Sequence, residues 1–432
     1  MQTLNIILAL ITTTLCLAMI VQVVRRETIT YWAGVQLGFS YFVGAPIFLS
    51  AVFGRIRQVD IPIPNMTIDG SPGVYLVTAG VAAIIFLIPN RHIGLPKIKI
   101  NQNIVQNKKL LHWYTATYLA FSIYGFISSG KLTGGHWYSS HGESMQGDAV
   151  AVALLQIRNV MRFTLPFLLL FYKRKELITT RAFCIGLICI AGLELIISGN
   201  RIIALTCIIS YALAYKSVPK KGYAILLLAA PIIIQANSIF PIVRGMMWSN
   251  GLNLQQMSYA VDTAAQHLAT SEGQDIQLIL SSAFEASNLN MANMVIENYP
   301  SKYSYLMGDT FIVRPLTFYL PKAIWPGRPE GFGLTLGRLS GLDVDGLALN
   351  STYIGEAYAN FGPFSVLALP LVLWGLSNLF RMFDSNSIQY MTFAVGFAGW
   401  RFDLVFSIVA IIVILAICTA SKIRFRSKPI TQ

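Results

Sequence analysis

Long apolar runs separated by short polar connections dominate the pattern of this 432-residue chain. A helix of about 20 apolar residues is long enough to cross a bilayer, and several of the runs approach or exceed that length. The pattern predicts about eleven membrane-spanning helices. In chain order they are 4–24, 31–54, 73–89, 111–129, 149–172, 182–199, 202–215, 222–240, 362–380, 388–400 and 402–420.

The composition supports an all-α polytopic membrane protein and excludes an ordinary soluble domain. Hydrophobic residues make up 55% of the chain and charged residues 12%, and the mean hydropathy is +0.59. The first run is expected to remain as a span, because no small-residue cleavage site precedes Arg25-Arg26. All five cysteines lie within predicted spans, which is typical of packing residues rather than of disulfides or zinc ligands.

The net charge of +13 comes largely from basic residues in short connections between the spans. Placing these connections in the cytoplasm satisfies the positive-inside rule. The N-terminus is then on the outer side of the membrane and the C-terminus in the cytoplasm, with Arg55 and Arg57 as exceptions on the outer side. The charge therefore does not indicate a nucleic-acid partner.

Three segments fall on the outer side in this topology, at 55–72, 130–148 and 241–360. The chain accordingly divides into spans 1–8 (1–240), a large outer loop (241–360), and spans 9–11 with a cytoplasmic tail (361–432). Apolar residues at helical spacing within 255–299 predict two or three amphipathic helices lying on the outer membrane face. The rest of the loop is rich in proline and glycine and is expected to be irregular but ordered.

Glu356 is the strongest candidate for chemistry. It lies in Ser351–Gly362, at the end of the large loop and just before the apolar run that follows, together with Tyr358 and Asn360. A carboxylate at a membrane boundary is costly to bury and usually serves chemistry or binding.

Charged residues within or between spans are the second group of candidates. Arg158 and Arg162 are four residues apart and share a helix face. They either hold an anion or have a structural role, by snorkelling to the membrane surface or by pairing with Glu194 of the neighbouring span. Arg201 follows a tight turn between two spans. Arg401 and Asp403 lie between the last two spans and point in different directions, so each needs its own partner.

The large loop carries further cations next to proline, glycine or aromatic residues, which keep such positions rigid. These residues are Arg244, Arg314, Lys322, Arg328 and Arg338. They form either a site for a pyrophosphate-linked substrate or separate surface charges of a basic protein. His136 and His141 do not have a spacing typical of zinc ligands. The sequence shows no phosphate-binding loop, dinucleotide fingerprint, nucleophile elbow or acidic pair for a metal-bound nucleotide sugar.

The chain resembles the bacterial oligosaccharide repeat-unit polymerases, the Wzy-type O-antigen and capsule polymerases. The resemblance covers the whole length in architecture. In motif it depends on Ser198-Gly199-Asn200-Arg201, on Leu320–Pro329 and above all on Gly355-Glu356-Ala357-Tyr358-Ala359-Asn360-Phe361-Gly362. The chain departs from some family members in one respect. None of its outer-loop arginines is followed by glycine eleven positions later, so the substrate scheme proposed for those members is not carried over.

The resemblance implies a GT-C-like, metal-independent membrane glycosyltransferase without a cofactor in the bacterial inner membrane. Its partners would be undecaprenyl-pyrophosphate-linked donor and acceptor oligosaccharides, membrane lipid and a chain-length regulator. Glu356 would activate the acceptor hydroxyl. The pyrophosphate contacts would come from Arg201, Arg314, Arg328 and Arg401, followed by Arg158 and Arg162. The sugar contacts would come from Tyr358, Asn360, Trp325 and Lys322.

Three other functions remain as alternatives. A flippase for the same lipid-linked units would be expected to have short outer loops, unlike this chain. An O-antigen ligase would share the architecture. A membrane O-acyltransferase would be expected to carry an early catalytic histidine beside an arginine in a span, and His92 and His112 flank cytoplasmic connections instead.

Overall fold

The computed structural model describes most of the chain, with gaps at several connections. The described residues are 2–26, 29–54, 71–88, 97–99, 108–128, 149–197, 200–214, 275–320, 324–340, 348–422 and isolated positions between 255 and 270. The predicted span 222–240, most of the outer segments 55–72 and 130–148, and the side chains of Arg244 and Lys322 lie outside these residues.

The described residues are almost entirely helical. The helices are α1 (Gln2–Arg26), α2 (Tyr31–Phe39), α3 (Ala45–Phe53), α4 (Pro72–Leu87), α5 (Lys108–Ser128), α6 (Ala149–Arg174), α7 (Thr180–Ile197), α8 (Arg201–Ala214), α9 (Ile276–Ala283), α10 (Ser287–Asn298), α11 (Arg314–Thr317), α12 (Phe332–Leu339), α13 (Thr352–Phe361), α14 (Ser365–Arg381), α15 (Asn386–Ala398) and α16 (Leu404–Lys422). Two-residue strands, β1 (Ile98–Lys99) and β2 (Phe383–Asp384), pair in parallel. The pair is a small addition to the predicted all-α class.

Four helical stretches among the described residues are long and apolar enough to cross a membrane: Gln2–Arg25, Tyr31–Phe53, Ala153–Arg174 and Thr352–Arg381. Shorter apolar helices cover Pro72–Leu87, Arg201–Ala214 and Leu404–Thr419. The chain is therefore an α-helical membrane protein. Eleven spans remain a prediction.

The last long stretch differs from the predicted span 362–380 because it begins ten residues earlier, at Thr352. Gly362 adopts a φ of +57°, which favours glycine, and separates α13 from α14. Glu356 consequently lies in the short helix α13, six residues before this break.

Helix α15 forms the centre of the bundle, where it packs against α2 and α6. A Cβ atom on Gly34 would overlap the Phe393 carbonyl, and one on Gly396 would overlap the Tyr31 carbonyl. These glycines let the backbones of α2 and α15 touch, as small residues do between membrane helices. The Trp400 indole then donates to the Val35 carbonyl over 2.9 Å.

The two ends of the bundle differ in chemistry. At one end, Arg174 donates to the Tyr390 hydroxyl over 2.8 Å and to the Leu213 carbonyl over 2.7 Å. The strand pair precedes α15 and begins two residues after α14, so it lies at the same end. At the opposite end, the 3-10 turn Gly399–Arg401 meets α13.

The expectation that the amphipathic helices lie on the membrane face is wrong for α10. This helix packs against α13 and α4, and most of its residues are buried, including the polar Asn290 and Asn293. Its small and apolar side chains, such as Ala292 against Gly355, allow neighbours on several sides. Part of the large loop therefore belongs to the protein core.

A buried arginine and carboxylate cluster

The turn between α15 and α16 carries Arg401 and Asp403, which pair with residues on two sides of it. This turn is called the hub below. Arg401 pairs with Glu285, Nη1 to Oε1 being 2.5 Å, whereas Asp403 pairs with Arg314. The prediction that Arg401 and Asp403 have separate partners is confirmed. Because this turn joins two packed helices, both charges are held in fixed positions.

Around Arg401, the structure gathers residues from three parts of the chain. Its Nη1 also donates to Asn200 Oδ1 over 3.3 Å. Arg201, which follows Asn200 in the chain, donates to the Ser282 hydroxyl over 2.7 Å. The hydroxyl of Tyr41 has Glu285, Arg201 and Arg401 as charged neighbours. Two arginines and one glutamate thus share a small region at the end of the bundle.

On the other side of the hub, Glu356 lies beside the Arg314–Asp403 pair. Thr310 hydrogen-bonds to the Glu356 side chain and accepts from Asn360 Nδ2 over 2.8 Å. Asn360 Oδ1 in turn accepts from the Gly308 amide over 3.1 Å. Asn360 therefore supports the segment that faces Glu356.

The Glu356 carboxylate is 3% exposed. Its Oε1 atom is buried and has no hydrogen-bond partner among the described residues. Leaving a buried carboxylate oxygen unsatisfied costs free energy, so such an atom is commonly explained by a ligand, a water molecule or a proton. Glu356 therefore keeps one carboxylate oxygen that a bound group could contact.

Arg158 and Arg162 form the deepest part of the cluster and both pair with Glu194. The distances are 3.0 Å from Arg158 Nη2 to Oε1 and 3.5 Å from Arg162 Nη1 to Oε2. Tyr118 adds a hydrogen bond of 2.8 Å to Glu194 Oε1. Of the two sequence alternatives, the structure shows the carboxylate pairing. It still leaves Arg162 Nε buried and without a partner among the described residues.

The remaining predicted site residues occupy different surroundings. Arg328 donates to the backbone carbonyls of Phe318 and Leu320, the former over 2.7 Å. Burial lowers the pKa of the Arg328 guanidinium, and the charge of nearby Arg314 lowers it further. Tyr358 is half-buried against Tyr305 with ring centroids 6.3 Å apart, whereas Trp325 is 37% exposed. Their contacts do not place either ring against Glu356.

Taken together, six predicted arginines form one connected cluster. Arg401 is a charged neighbour of Arg162, and Arg314 of Arg328. The six arginines and the four carboxylates of Glu194, Glu285, Glu356 and Asp403 leave a formal charge of +2, counting each group as ionised. Such a cluster suits an anion, since guanidinium groups bind phosphate oxygens in bidentate geometry.

Sequence reasoning did not assign roles to Glu285 and Thr310. Glu285 gave no signal because it lies in a turn of the loop, where it adopts a left-handed φ of +49°. Thr352, at the start of α13, is similarly strained at +60°. Strained backbone persists where the surrounding structure enforces it, often at functional sites.

Comparison of the chain with protein-family models, curated proteins and solved structures gives no match. The chemistry of the cluster therefore rests on its own geometry.

Proposed function

We propose that this protein is a membrane glycosyltransferase that polymerises lipid-linked oligosaccharide repeat units. The observation that carries the proposal is the buried, unsatisfied Glu356 oxygen beside Arg314 and Asp403 at one end of a membrane helix bundle. A carboxylate and an excess of arginines are the two kinds of group that this reaction needs. The same end is predicted to face the periplasm.

In the proposed reaction, a hydroxyl oxygen of the acceptor unit attacks the anomeric carbon of the donor glycan. The bond from that carbon to the donor pyrophosphate breaks, and the polyprenyl pyrophosphate leaves with the bonding electrons. Glu356 accepts the proton of the attacking hydroxyl as a general base. Arginines already in place stabilise the negative charge that develops on the leaving group.

The arginines would not contribute equally. Arg201, Arg314 and Arg401 are half-buried and lie around the hub, so they are the first choice for the pyrophosphate. Arg158 and Arg162 already share Glu194 and would mainly supply long-range positive charge. Arg328 bonds backbone carbonyls, so its first role would be to hold the loop in shape.

The substrates would be undecaprenyl-pyrophosphate-linked oligosaccharides in the inner membrane of a bacterium, and the reaction would need neither metal nor cofactor. Asn360 and Tyr358 remain the nearest candidates for sugar contacts, because they share α13 with Glu356. A chain-length regulator would be a further partner. The product would enter O-antigen, capsule or exopolysaccharide synthesis.

Deleting the gene and analysing the surface glycan on a gel tests this function against its rivals. A polymerase predicts that glycan with a single repeat unit remains. Loss of all glycan would identify a flippase instead, and accumulation of unattached polymer would identify a ligase.

Complementation of the deletion with the Glu356→Gln variant tests the assignment of Glu356 as the general base. The substitution preserves the shape of the side chain but removes its ability to take a proton, so polymerisation should fall by about 10²- to 10⁴-fold. The measurement is the rate of polymer formation in membranes, normalised to the amount of folded protein. Glu297→Gln is the matched control, since Glu297 is an exposed carboxylate on α10. Full activity of Glu356→Gln would overturn the assignment.

A further inference from the structure

Residues 309–320, which the sequence assigns to the outer loop, form a short helical segment that is apolar on both sides. It consists of a π-helical turn, Asp309–Val313, continued by α11 and a final turn to Leu320. Phe311, Pro315 and Phe318 are buried against the protein. Ile312, Leu316 and Tyr319 face outward and are 45%, 57% and 57% exposed.

The outward residues form a continuous stripe. Their spacing of four and three residues places them on one face of the helix. Ile324, which follows at 72% exposure, adds to the apolar surface. An exposed apolar face of this kind is typical of a helix that lies at a membrane surface.

The backbone of the segment is satisfied from within the protein. The amides of Ile312 and Leu320 donate to the carbonyls of Gly308 and Thr317 over 2.8 and 2.9 Å. The Thr317 hydroxyl donates to the Val313 carbonyl over 2.8 Å. Such internal satisfaction is required where water is absent.

Arg328 completes this pattern at the end of the segment. Its Nη1 donates to the carbonyls of Phe318 and Leu320, in the final turn of the segment. An aqueous loop would leave these carbonyls to water. Here a guanidinium covers them.

The segment adjoins a membrane helix. Helix α11 packs against α16, an apolar helix whose Ile412 and Leu415 are also exposed. Arg314 of the segment meets Asp403, the residue before α16 begins. The segment therefore adjoins a membrane helix at the end of the bundle that holds the arginine cluster.

We infer that residues 309–320 lie in the membrane interface, with Ile312, Leu316 and Tyr319 in contact with lipid acyl chains. Interfacial helices bury their apolar face roughly 5–10 Å into the boundary between headgroups and chains. The opposite face holds Arg314 toward the cluster. A single helix then separates the charged cluster from the lipid of the same leaflet. This inference does not depend on the reaction proposed above.

Fluorescent labelling of the full-length protein in vesicles tests the inference. Single cysteines replace Ile312, Leu316 or Tyr319 in a variant whose five native cysteines are alanine, and each carries the environment-sensitive probe NBD. The vesicles contain phosphatidylethanolamine and phosphatidylglycerol, with or without brominated phosphatidylcholine. Ser301→Cys, an exposed polar position in the same loop, is the control for water. Leu415→Cys, an exposed position on α16, is the control for lipid.

The expected result is an emission at all three positions that is blue-shifted relative to Ser301→Cys, together with quenching by brominated lipid, as at Leu415→Cys. Emission and quenching like those of Ser301→Cys would refute lipid contact. A blue shift without quenching by brominated lipid would also refute it, since a protein surface would then cover the stripe.

A second measurement covers the case in which the cysteine-free variant does not fold. In the otherwise unaltered chain, a photo-crosslinking amino acid replaces Leu316, and the control position is Ser301. Irradiation in native membranes should attach phospholipid at position 316 in clear excess over position 301. Attachment of a protein, or equal lipid attachment at both positions, would contradict the inference.

Discussion

Glu194 is fully buried between two helices, yet it has three donors in Arg158, Arg162 and Tyr118. A buried charge is tolerated when it is paired and hydrogen-bonded, and it becomes costly when a partner is removed. The sequence predicted that both arginines bind an anion or pair with Glu194. The structure favours the second role and makes the pairing a structural element beneath the candidate site.

This arrangement predicts the effect of Glu194→Ala. Removal of the carboxylate leaves two buried guanidiniums without their shared counter-charge, so the protein should lose on the order of 3–5 kcal/mol of stability. Thermal unfolding of the purified protein in detergent measures the change. Arg338→Ala, which breaks the exposed pair with Glu330, should cost only about 0–1 kcal/mol. Equal effects of the two substitutions would contradict a structural role for Glu194.

Asp403 has a different role, because Asp403 and its partner Arg314 are both charged neighbours of Glu356. Asp403→Asn keeps the shape of the side chain but weakens its hold on the guanidinium. Polymerisation should therefore fall by roughly tenfold to a hundredfold, as expected when a charged group is misplaced in a site. The measurement is the initial rate with lipid-linked substrate, at equal folded protein. Glu330→Gln, in an exposed pair, should retain the full rate. An unaltered rate for Asp403→Asn would remove Arg314 from the proposed site.

At the scale of elements, helix contacts depend on single glycines. Gly396 on α15 faces the backbone of α2, where a Cβ atom would lie 2.9 Å from the Val35 amide nitrogen. Backbone cannot move aside as a flexible side chain does. The crossing of α2 and α15 in turn positions the turn that carries Arg401 and Asp403.

Two alanine substitutions should therefore shift stability in opposite directions. Gly396→Ala forces α2 and α15 apart and should lower the melting temperature in detergent. At Gly375 on α14 no atom lies within 4 Å of an added Cβ, so Gly375→Ala should stabilise the protein by about 0.5–1 kcal/mol through helix propensity. A stable Gly396→Ala variant would show that the crossing is not tightly packed.

At the scale of the whole molecule, the two ends of the helix bundle carry different charged groups. Arg174 and the strand pair mark one end, and the arginine and carboxylate cluster marks the other. The basic connections of the sequence predict that the first end is cytoplasmic. The proposed reaction requires the cluster to be on the outer side.

Impermeant maleimide labelling of intact spheroplasts tests that topology, again without the native cysteines. Lys175→Cys lies just after α6 at the predicted cytoplasmic end, and Ser301→Cys lies in the large loop; both positions are exposed. Ser301→Cys should react in intact cells, whereas Lys175→Cys should react only after lysis. The reverse pattern would falsify the predicted sidedness and the proposed function together.

The sequence by itself determined that this is a helical membrane protein. The length and composition of an apolar run are local properties, and they decide whether a helix can span a bilayer. The sequence also selected Glu356 and the arginines, since charges near membrane helices are costly wherever they lie. The tertiary structure determined which residues surround Glu356 and the arginines. Glu285, Asn200 and Arg401 are far apart in the chain, as are Glu356, Thr310 and Asp403, and packing brings each set together. The burial of α10 and the outward stripe of residues 309–320 were likewise decided by packing, because an apolar residue has the same chemistry whether it faces protein or lipid.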